Sequence, residues 1–470
     1  MSALTTSEIT ALFADIPDYD GFLSVDDLLA ASQALAADHP SKVGWTRIGT
    51  SRLGEPIHKL TVGDGDLNAV VFAAIHPNEP IGSLTTLHLA RTLAEDESLA
   101  RRLGYTWHIV PCIDPDGMRL NEGWFQGTIT RERYGRNFYR PAADEQVEWT
   151  FPFAYKDAYF DRTIPEAFAL MRLIDDTRPT FMCPLHNSEL GGVYYYLSEP
   201  SPDLYQTLTA IPEFFGIPLD RGEPEAPFIR ELAPGIYGDI NMKDEYDYVA
   251  SLGMDPVEAI HAGESSGAYA SKYGTFLLVS ELPYWTHPDA SDPTPTDRSY
   301  GDVIRQRGQR IGELAEVLNS VLATTADELT IQSPFLRATR RFGPSFALTS
   351  EQDLLRADQP ESDRPATVAE VFSSADQVHM FRLRFAGMLV RALQAEVDAG
   401  LGRPKVRSEL SRLRDVYEGW CQEAAAATPA ETVALRSLVG VQYGAIVAAA
   451  DHAARGTRGE RRESEPVTSS

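Results

Sequence analysis

From residue 68 onward the chain alternates apolar runs of strand length with stretches of helical period. This alternation limits the fold more than any other feature. The runs lie at 69–75, 105–113, 180–185 and 275–280, with helix-like spacers at 81–95 and near 164–176. Strands this continuously apolar have no face for water, so they call for a mixed or parallel sheet with helices on both sides. A helix near 301–323 closes the unit. Upstream, 1–40 reads as an acidic helical segment with its best helix at 25–37. Residues 43–62 alternate as strands around the turn Leu53-Gly54-Glu55-Pro56.

After residue 330 strand-like runs largely vanish, and helical periods dominate near 366–398, 407–427 and 431–454. The stretch 355–366 reads as a linker or a loop. The expected organisation is a helical segment at 1–40, an α/β domain at 41–325, a helical C-terminal region at 326–455 and a disordered tail at 456–470. A chain of 470 residues exceeds one ordinary core. No internal repeat is visible.

The formal net charge of −26 disfavours nucleic acid or an anionic membrane surface as a partner, because both require clustered Lys and Arg. Cys112, Cys183 and Cys421 are too few and too odd in number for a disulfide framework, and the first two lie inside apolar runs as small hydrophobes. The first 30 residues are acidic, with no basic start followed by an apolar block, and no apolar run approaches a membrane span. The expected location is the cytoplasm.

Open α/β sheets gather their chemistry just past strand ends. After 69–75 come His76 and Glu79; after 105–113 comes Asp114-Pro115-Asp116-Gly117; after 180–185 comes His186; after 275–280 comes Glu281. If the strands are parallel, two imidazoles and two carboxylates meet on one edge. Three protein ligands, His76, Glu79 and His186, with a fourth position left for water are what a catalytic zinc site needs. Zinc acidifies such a water, and Glu281 is placed to act as general base. Between the second and third ligands, the segment 131–140 holds Arg131, Arg133, Arg136 and Arg140. Planar guanidinium groups bind carboxylates in pairs of hydrogen bonds and stabilise oxyanions.

Each piece alone has a plainer reading. His76 and Glu79 can serve the start of a helix. His186 can be a satisfied structural histidine, and Glu281 a rim charge. The arginines can form a solvated, ion-paired loop. It is the coincidence at four strand ends that argues for a site. His88, inside a helix, and His108, inside a strand, read as structural.

With these residues in hand, the chain resembles the M14 family of zinc carboxypeptidases. The resemblance rests on H-P-N-E (His76 to Glu79), D-P-D-G (Asp114 to Gly117, where the family usually has N-P-D-G), G-R-N-F (Gly135 to Phe138, often N-R-N-F), L-H-N-S (Leu185 to Ser188) and V-S-E-L (Val279 to Leu282), and it covers about 40–320. It implies a mixed, mostly parallel eight-stranded sheet flanked by helices, with one zinc ion per chain. It implies His76, Glu79 and His186 as metal ligands and Glu281 as catalytic base. Arg136, with Asn137, would bind the substrate's terminal carboxylate. Arg131 or Arg133, with a slight preference for Arg131, would hold the oxyanion. A tyrosine among Tyr246, Tyr248, Tyr269 and Tyr273 would close over substrate. Gly135 departs from the asparagine that helps hold the carboxylate. The helical C-terminal third matches nothing in the family pattern; it is open to shaping the cleft, closing over it or forming an oligomer.

The leading expectation is a zinc metallocarboxypeptidase that hydrolyses a C-terminal peptide or amide bond. The second is a zinc-dependent deacylase of N-acyl amino acids, like the aspartoacylase and succinylglutamate desuccinylase branch. The third is a binding module derived from a peptidase. Acidic residues in 220–270 (Glu223, Glu225, Glu231, Asp239) hint at a basic substrate or, more simply, form a solvated acidic loop.

Overall fold

The computed structural model describes residues 3–464. A helix, α1 (Val25–Asp38), is capped by Ser24, whose side chain accepts from the Asp27 amide. The hairpin expected around Leu53-Gly54-Glu55-Pro56 is β1 (Val43–Thr50) and β2 (Pro56–Val62). Then come β3 (Leu67–Phe72), α2 (Ile81–Glu95), β4 (Tyr105–Val110), α3 (Arg131–Asn137) and α4 (Pro165–Thr177). Further strands are β5 (Phe181–Pro184), β6 (Tyr194–Leu197), β7 (Glu231–Ala233), β8 (Ile236–Gly238) and β9 (Phe276–Glu281).

Among the described residues these build one nine-stranded sheet, ordered β1-β2-β4-β3-β5-β9-β6-β8-β7. The sheet is mixed, as expected, but it has nine strands rather than eight. It is also not mostly parallel. The pairings β4–β3, β3–β5, β5–β9 and β6–β8 are parallel, and β1–β2, β2–β4, β9–β6 and β7–β8 are antiparallel. The strands missed in the sequence are short, and Glu231–Ala233 carries no apolar run to announce it.

Both faces are covered. Along β3, Ala69 and Val71 share a buried cluster with Leu84 and Leu89 of α2, whereas Val70 and Phe72 join Leu170 and Ile174 of α4. Side chains alternate across a strand, so one apolar run serves two cores.

The C-terminal region is helical, as expected: α5 (Tyr300–Thr325), α6 (Pro334–Ala357), α7 (Val368–Phe381), a π-helical segment at Arg382–Ala386, α8 (Gly387–Asp398), α9 (Pro404–Ala427) and α10 (Leu435–Ser464). The sequence reading overlooked α6, because Gly343 and Pro344 interrupt its helical period. The stretch 355–366 is not a free linker: α6 runs to Ala357, and 365–367 pairs with 295–299. Nor does order stop at 456, since α10 continues through Ser464; the remainder of the expected disordered tail lies outside the described residues. Leu438, Val439 and Ile446 of α10 belong to the same buried cluster as Ala69 and Val71, so this helix covers one face of the sheet.

No helix among the described residues is long and apolar enough to cross a membrane.

Candidate metal centre and active-site cleft

The strands β3, β5 and β9 lie side by side and run parallel, so their C-terminal ends share one edge. The chain leaves β3 through Ala74, whose φ of 55° is uncommon for a residue with a side chain. Backbone bonds from Ala73 to Val110 and from Ile113 to Ala73 hold this turn against the end of β4. The turn delivers His76, and a further bond from the Glu79 amide to the His76 carbonyl (3.0 Å) brings Glu79 onto the same side. Helix α2 then starts so close to β5 that a Cβ on Gly82 would sit 2.6 Å from that of Leu185. His186 follows β5, and Glu281 ends β9.

These elements bring the predicted residues together. His76 Nδ1 lies 3.1 and 3.2 Å from the two Glu79 oxygens and 3.2 Å from His186 Nδ1. His186 Nδ1 lies 3.1 Å from Glu79 Oε2 and 3.7 Å from Glu281 Oε1. All four residues are at most 6% exposed. The three groups that could hold a metal have their donor atoms within 4.8 Å of one another. Two nitrogens bound about 2.05 Å from one tetrahedral ion would be about 3.3 Å apart, so the observed spacing fits a single zinc.

The electrostatics also suit a cation. Burial, helped by the Arg140 charge, pushes the His76 pKa down to about 3, so the imidazole is neutral and its lone pair is free. Burial works to raise the pKa of Glu79, but His76, His186 and Arg140 outweigh it and keep the carboxylate ionised. Burial and then the charges of Glu225 and Glu79 hold the Glu281 carboxyl well above its ordinary range. Glu281 Oε2 has no hydrogen-bond partner.

The cluster lies at the floor of a cleft of about 360 Å³. Its walls include Glu148, Tyr194, Tyr196 and Glu225 from the α/β part, and Asp376, Met380, Phe381 and Arg384 from the C-terminal helices. The C-terminal region therefore shapes the cleft. One prop is deeply buried: Gln442 on α10 donates to the His186 carbonyl (2.9 Å) and accepts from Thr85 on α2 (2.8 Å).

The arginine assignments need correction. Arg136 does not reach the cleft: its partly exposed guanidinium is held by Glu418 at 2.7 Å and Glu132 at 2.8 Å, over the ring of Tyr417. Asn137 donates to the Arg133 carbonyl at the end of α3 and lines no part of the cleft. Arg131 is paired with Asp376 behind the cleft wall, and Arg133 bonds the Gly123 carbonyl. The guanidinium beside the cluster is that of Arg140, 3.5 Å from Glu79 Oε1. It lay in the same arginine-rich segment, but spacing could not single it out. None of the four tyrosines proposed as a lid lines the cleft. Tyr269 and Tyr273 bond Asp175, and Tyr246 sits in a separate apolar cluster. Arg384 was missed, although an arginine flanked by Leu383 and Phe385 inside an apolar helix was a signal.

His88 and His108 are structural, as read. His88 packs edge-on to Tyr443, and His108 is held between Lys59 and Asn68.

Two imidazoles and a carboxylate on the C-terminal edge of a mixed sheet, with a further carboxylate beside them, form a donor set that could hold one metal ion. Residues 28–225 match the zinc carboxypeptidase family, Peptidase M14, a stretch that contains His76, Glu79 and His186 and ends before Glu281. An uncharacterised protein of Zymomonas mobilis is 28% identical over 168 residues, 35% of this chain; the chain spans 39% of that relative's length. Among solved structures, carboxypeptidase A from Helicoverpa armigera is similar at 14% identity and a TM-score of 0.40, covering 74% of this chain and 78% of that one. A metallo-carboxypeptidase from Burkholderia cenocepacia gives 15% identity and a TM-score of 0.35, over 71% and 69%. The murein-tripeptide amidase of Escherichia coli O157 gives 18% identity and a TM-score of 0.27, over 51% and 83%.

Proposed function

We propose that the protein is a zinc-dependent hydrolase of the carboxypeptidase type, cleaving an amide bond near the C-terminus of a short peptide. The observation that carries this reading is the convergence of His76, Glu79 and His186, with Glu281 3.7 Å from His186 Nδ1. In this reading the three residues hold one zinc ion. Zinc there would acidify a water molecule and polarise a carbonyl. Glu281 takes the water's proton on a carboxylate oxygen and passes it to the leaving nitrogen. Arg140, rather than Arg131, is the guanidinium near the cluster, and we assign it to the oxyanion. A cleft of about 360 Å³ suits a short substrate. That size equally fits an N-acyl amino acid, which keeps the deacylase reading as the alternative.

The test is mass spectrometry of products from a peptide library and an N-acyl amino acid panel, using protein given one equivalent of zinc, with and without chelator. Peptide cleavage that chelator and Glu281→Gln both abolish supports the reading. No cleavage of either class, with the variant indistinguishable, refutes it.

A further inference from the structure

Two cationic side chains line the cleft, Arg140 and Arg384. Arg140 is beside Glu79, 3.5 Å from its Oε1. Arg384 comes from the π-helical segment of the C-terminal region, and such segments gather at functional sites. It is 5% exposed. Its Nη1 is paired with Glu189, which also accepts from Tyr134. Among the described residues, its Nε is buried without a partner and its Nη2 has no hydrogen-bond acceptor. The Nε/Nη2 edge of a guanidinium can take a carboxylate through two parallel bonds. Rings of Phe138, Phe381 and Phe385, 5.1–5.4 Å from the guanidinium carbon, fix its position.

The surrounding wall is acidic: Glu148, Asp220, Glu225 and Glu281 face the same space. Within that lining, Arg140 and Arg384 are the two guanidinium groups that a substrate carboxylate could pair with. The reason that a C-terminal helix can reach here is Gly135. A Cβ at that position would lie 2.9 Å from Leu383 Cβ and 3.0 Å from the Leu383 carbonyl oxygen. On the facing side, a Cβ at Gly387 would lie 2.4 Å from the Gly135 carbonyl oxygen. The glycine that stands where the family pattern has asparagine is thus where α3 and the π-helical segment touch. Arg136, next to it, is turned outward to Glu418.

We propose that Arg384 is the carboxylate-binding, specificity-determining residue of the cleft, supplied by the C-terminal helical region in place of the arginine at 136. This rests on the hydrolase reading for the purpose of the carboxylate, but its test reads binding. In zinc-loaded Glu281→Gln protein, calorimetry measures affinity for benzoylglycyl-lysine, benzoylglycyl-phenylalanine and benzoylglycyl-glutamate and for their C-terminal amides. Adding Arg384→Met weakens the best free acid about 10- to 150-fold, the worth of charge-assisted bonds, and leaves its amide within threefold. Arg384→Lys falls between, and Arg136→Met changes neither. If Arg384→Met does not fold, the double change Arg384→Met, Glu189→Gln removes both charges of the pair and gives the same reading. The proposal is overturned if no free acid binds, or if acid and amide weaken equally or not at all. Turnover is followed separately with Glu281 intact: no hydrolysis while acid and amide are still discriminated counts against the hydrolase reading alone.

Discussion

Replacing Gln442 by Met tests whether the last helix supports the metal centre. Gln442 is fully buried and joins α10 to two neighbours. Its amide nitrogen donates to the His186 carbonyl at 2.9 Å, and its oxygen accepts from Thr85 at 2.8 Å. Met has nearly the same volume, so the cavity contribution is small. Thr85 also reaches the Ile81 carbonyl at 3.3 Å and keeps a partner. The His186 carbonyl loses its donor. A buried acceptor left unpaired costs about 1–3 kcal/mol. Because that carbonyl belongs to His186, one of the three residues proposed to hold the metal, the loss is expected mainly in metal affinity. Outer partners of metal ligands are worth about 10- to 100-fold, or roughly 1.4–2.7 kcal/mol, within the same range. Competition with a chromophoric chelator measures the zinc Kd, and the metal-free melting temperature reports the remainder. Thr85→Val is the control: it leaves the bond to His186 intact, so stability falls and zinc affinity does not. Wild-type zinc affinity and an unchanged melting temperature in Gln442→Met would refute the reasoning.

Glu281→Gln should lower kcat/KM by about 10²–10⁴ with zinc content unchanged by elemental analysis; loss of zinc instead would make Glu281 a structural support. Stripping zinc should lower the melting temperature, and zinc restored at 100 times its Kd should return about 2.7 kcal/mol; a melting curve indifferent to chelator contradicts the centre. Burial, opposed by His186 and by bonds from Ser266, pushes the Glu148 pKa up to about 7 from an ordinary 4.5. Between those values the folded state holds a proton that the unfolded state has lost, so this residue's stabilising contribution is fully present below pH 4.5 and disappears as pH rises to about 7. Metal-free Glu148→Gln should therefore gain on wild type between pH 4.5 and 8, by up to about 3 kcal/mol in denaturant titrations; a pH-independent difference rules this out. Gly387→Ala should destabilise by about 1–3 kcal/mol, since its Cβ meets the backbone of Gly135; unfolding at the wild-type denaturant midpoint would mean the contact relaxes freely.

The candidate metal cluster was legible because every member sits at or just past the end of an apolar run, and the parallel strands that carry them turn that sequence rule into a shared edge. His76, Glu79, His186 and Glu281 needed only strand order to meet. The arginines were not legible in the same way. Arg131, Arg133, Arg136 and Arg140 lie on a short helix and the loop after it, and which guanidinium turns inward depends on acidic partners far along the chain. Asp376 takes Arg131 and Glu418 takes Arg136, from 245 and 282 residues away. Arg384 and Gln442 reach the cleft and the cluster only through tertiary packing of helices; the apolar neighbours of Arg384 signal its burial, but nothing local says what it faces. The same holds for α6, whose proline hides it locally while its neighbours keep it folded.

The order in which the parts are synthesised differs from the order in which they matter to a substrate. His76, Glu79 and His186 emerge from the ribosome early, whereas Arg384 and Gln442 arrive some 200 to 260 residues after His186. At about 5–20 residues per second this is a delay of roughly 10–50 s. During it the nascent chain contains His76, Glu79 and His186 but lacks Arg384 of the cleft wall and the amide that bonds the His186 carbonyl. The residues that converge at the donor cluster are thus made before the helices that wall and brace it.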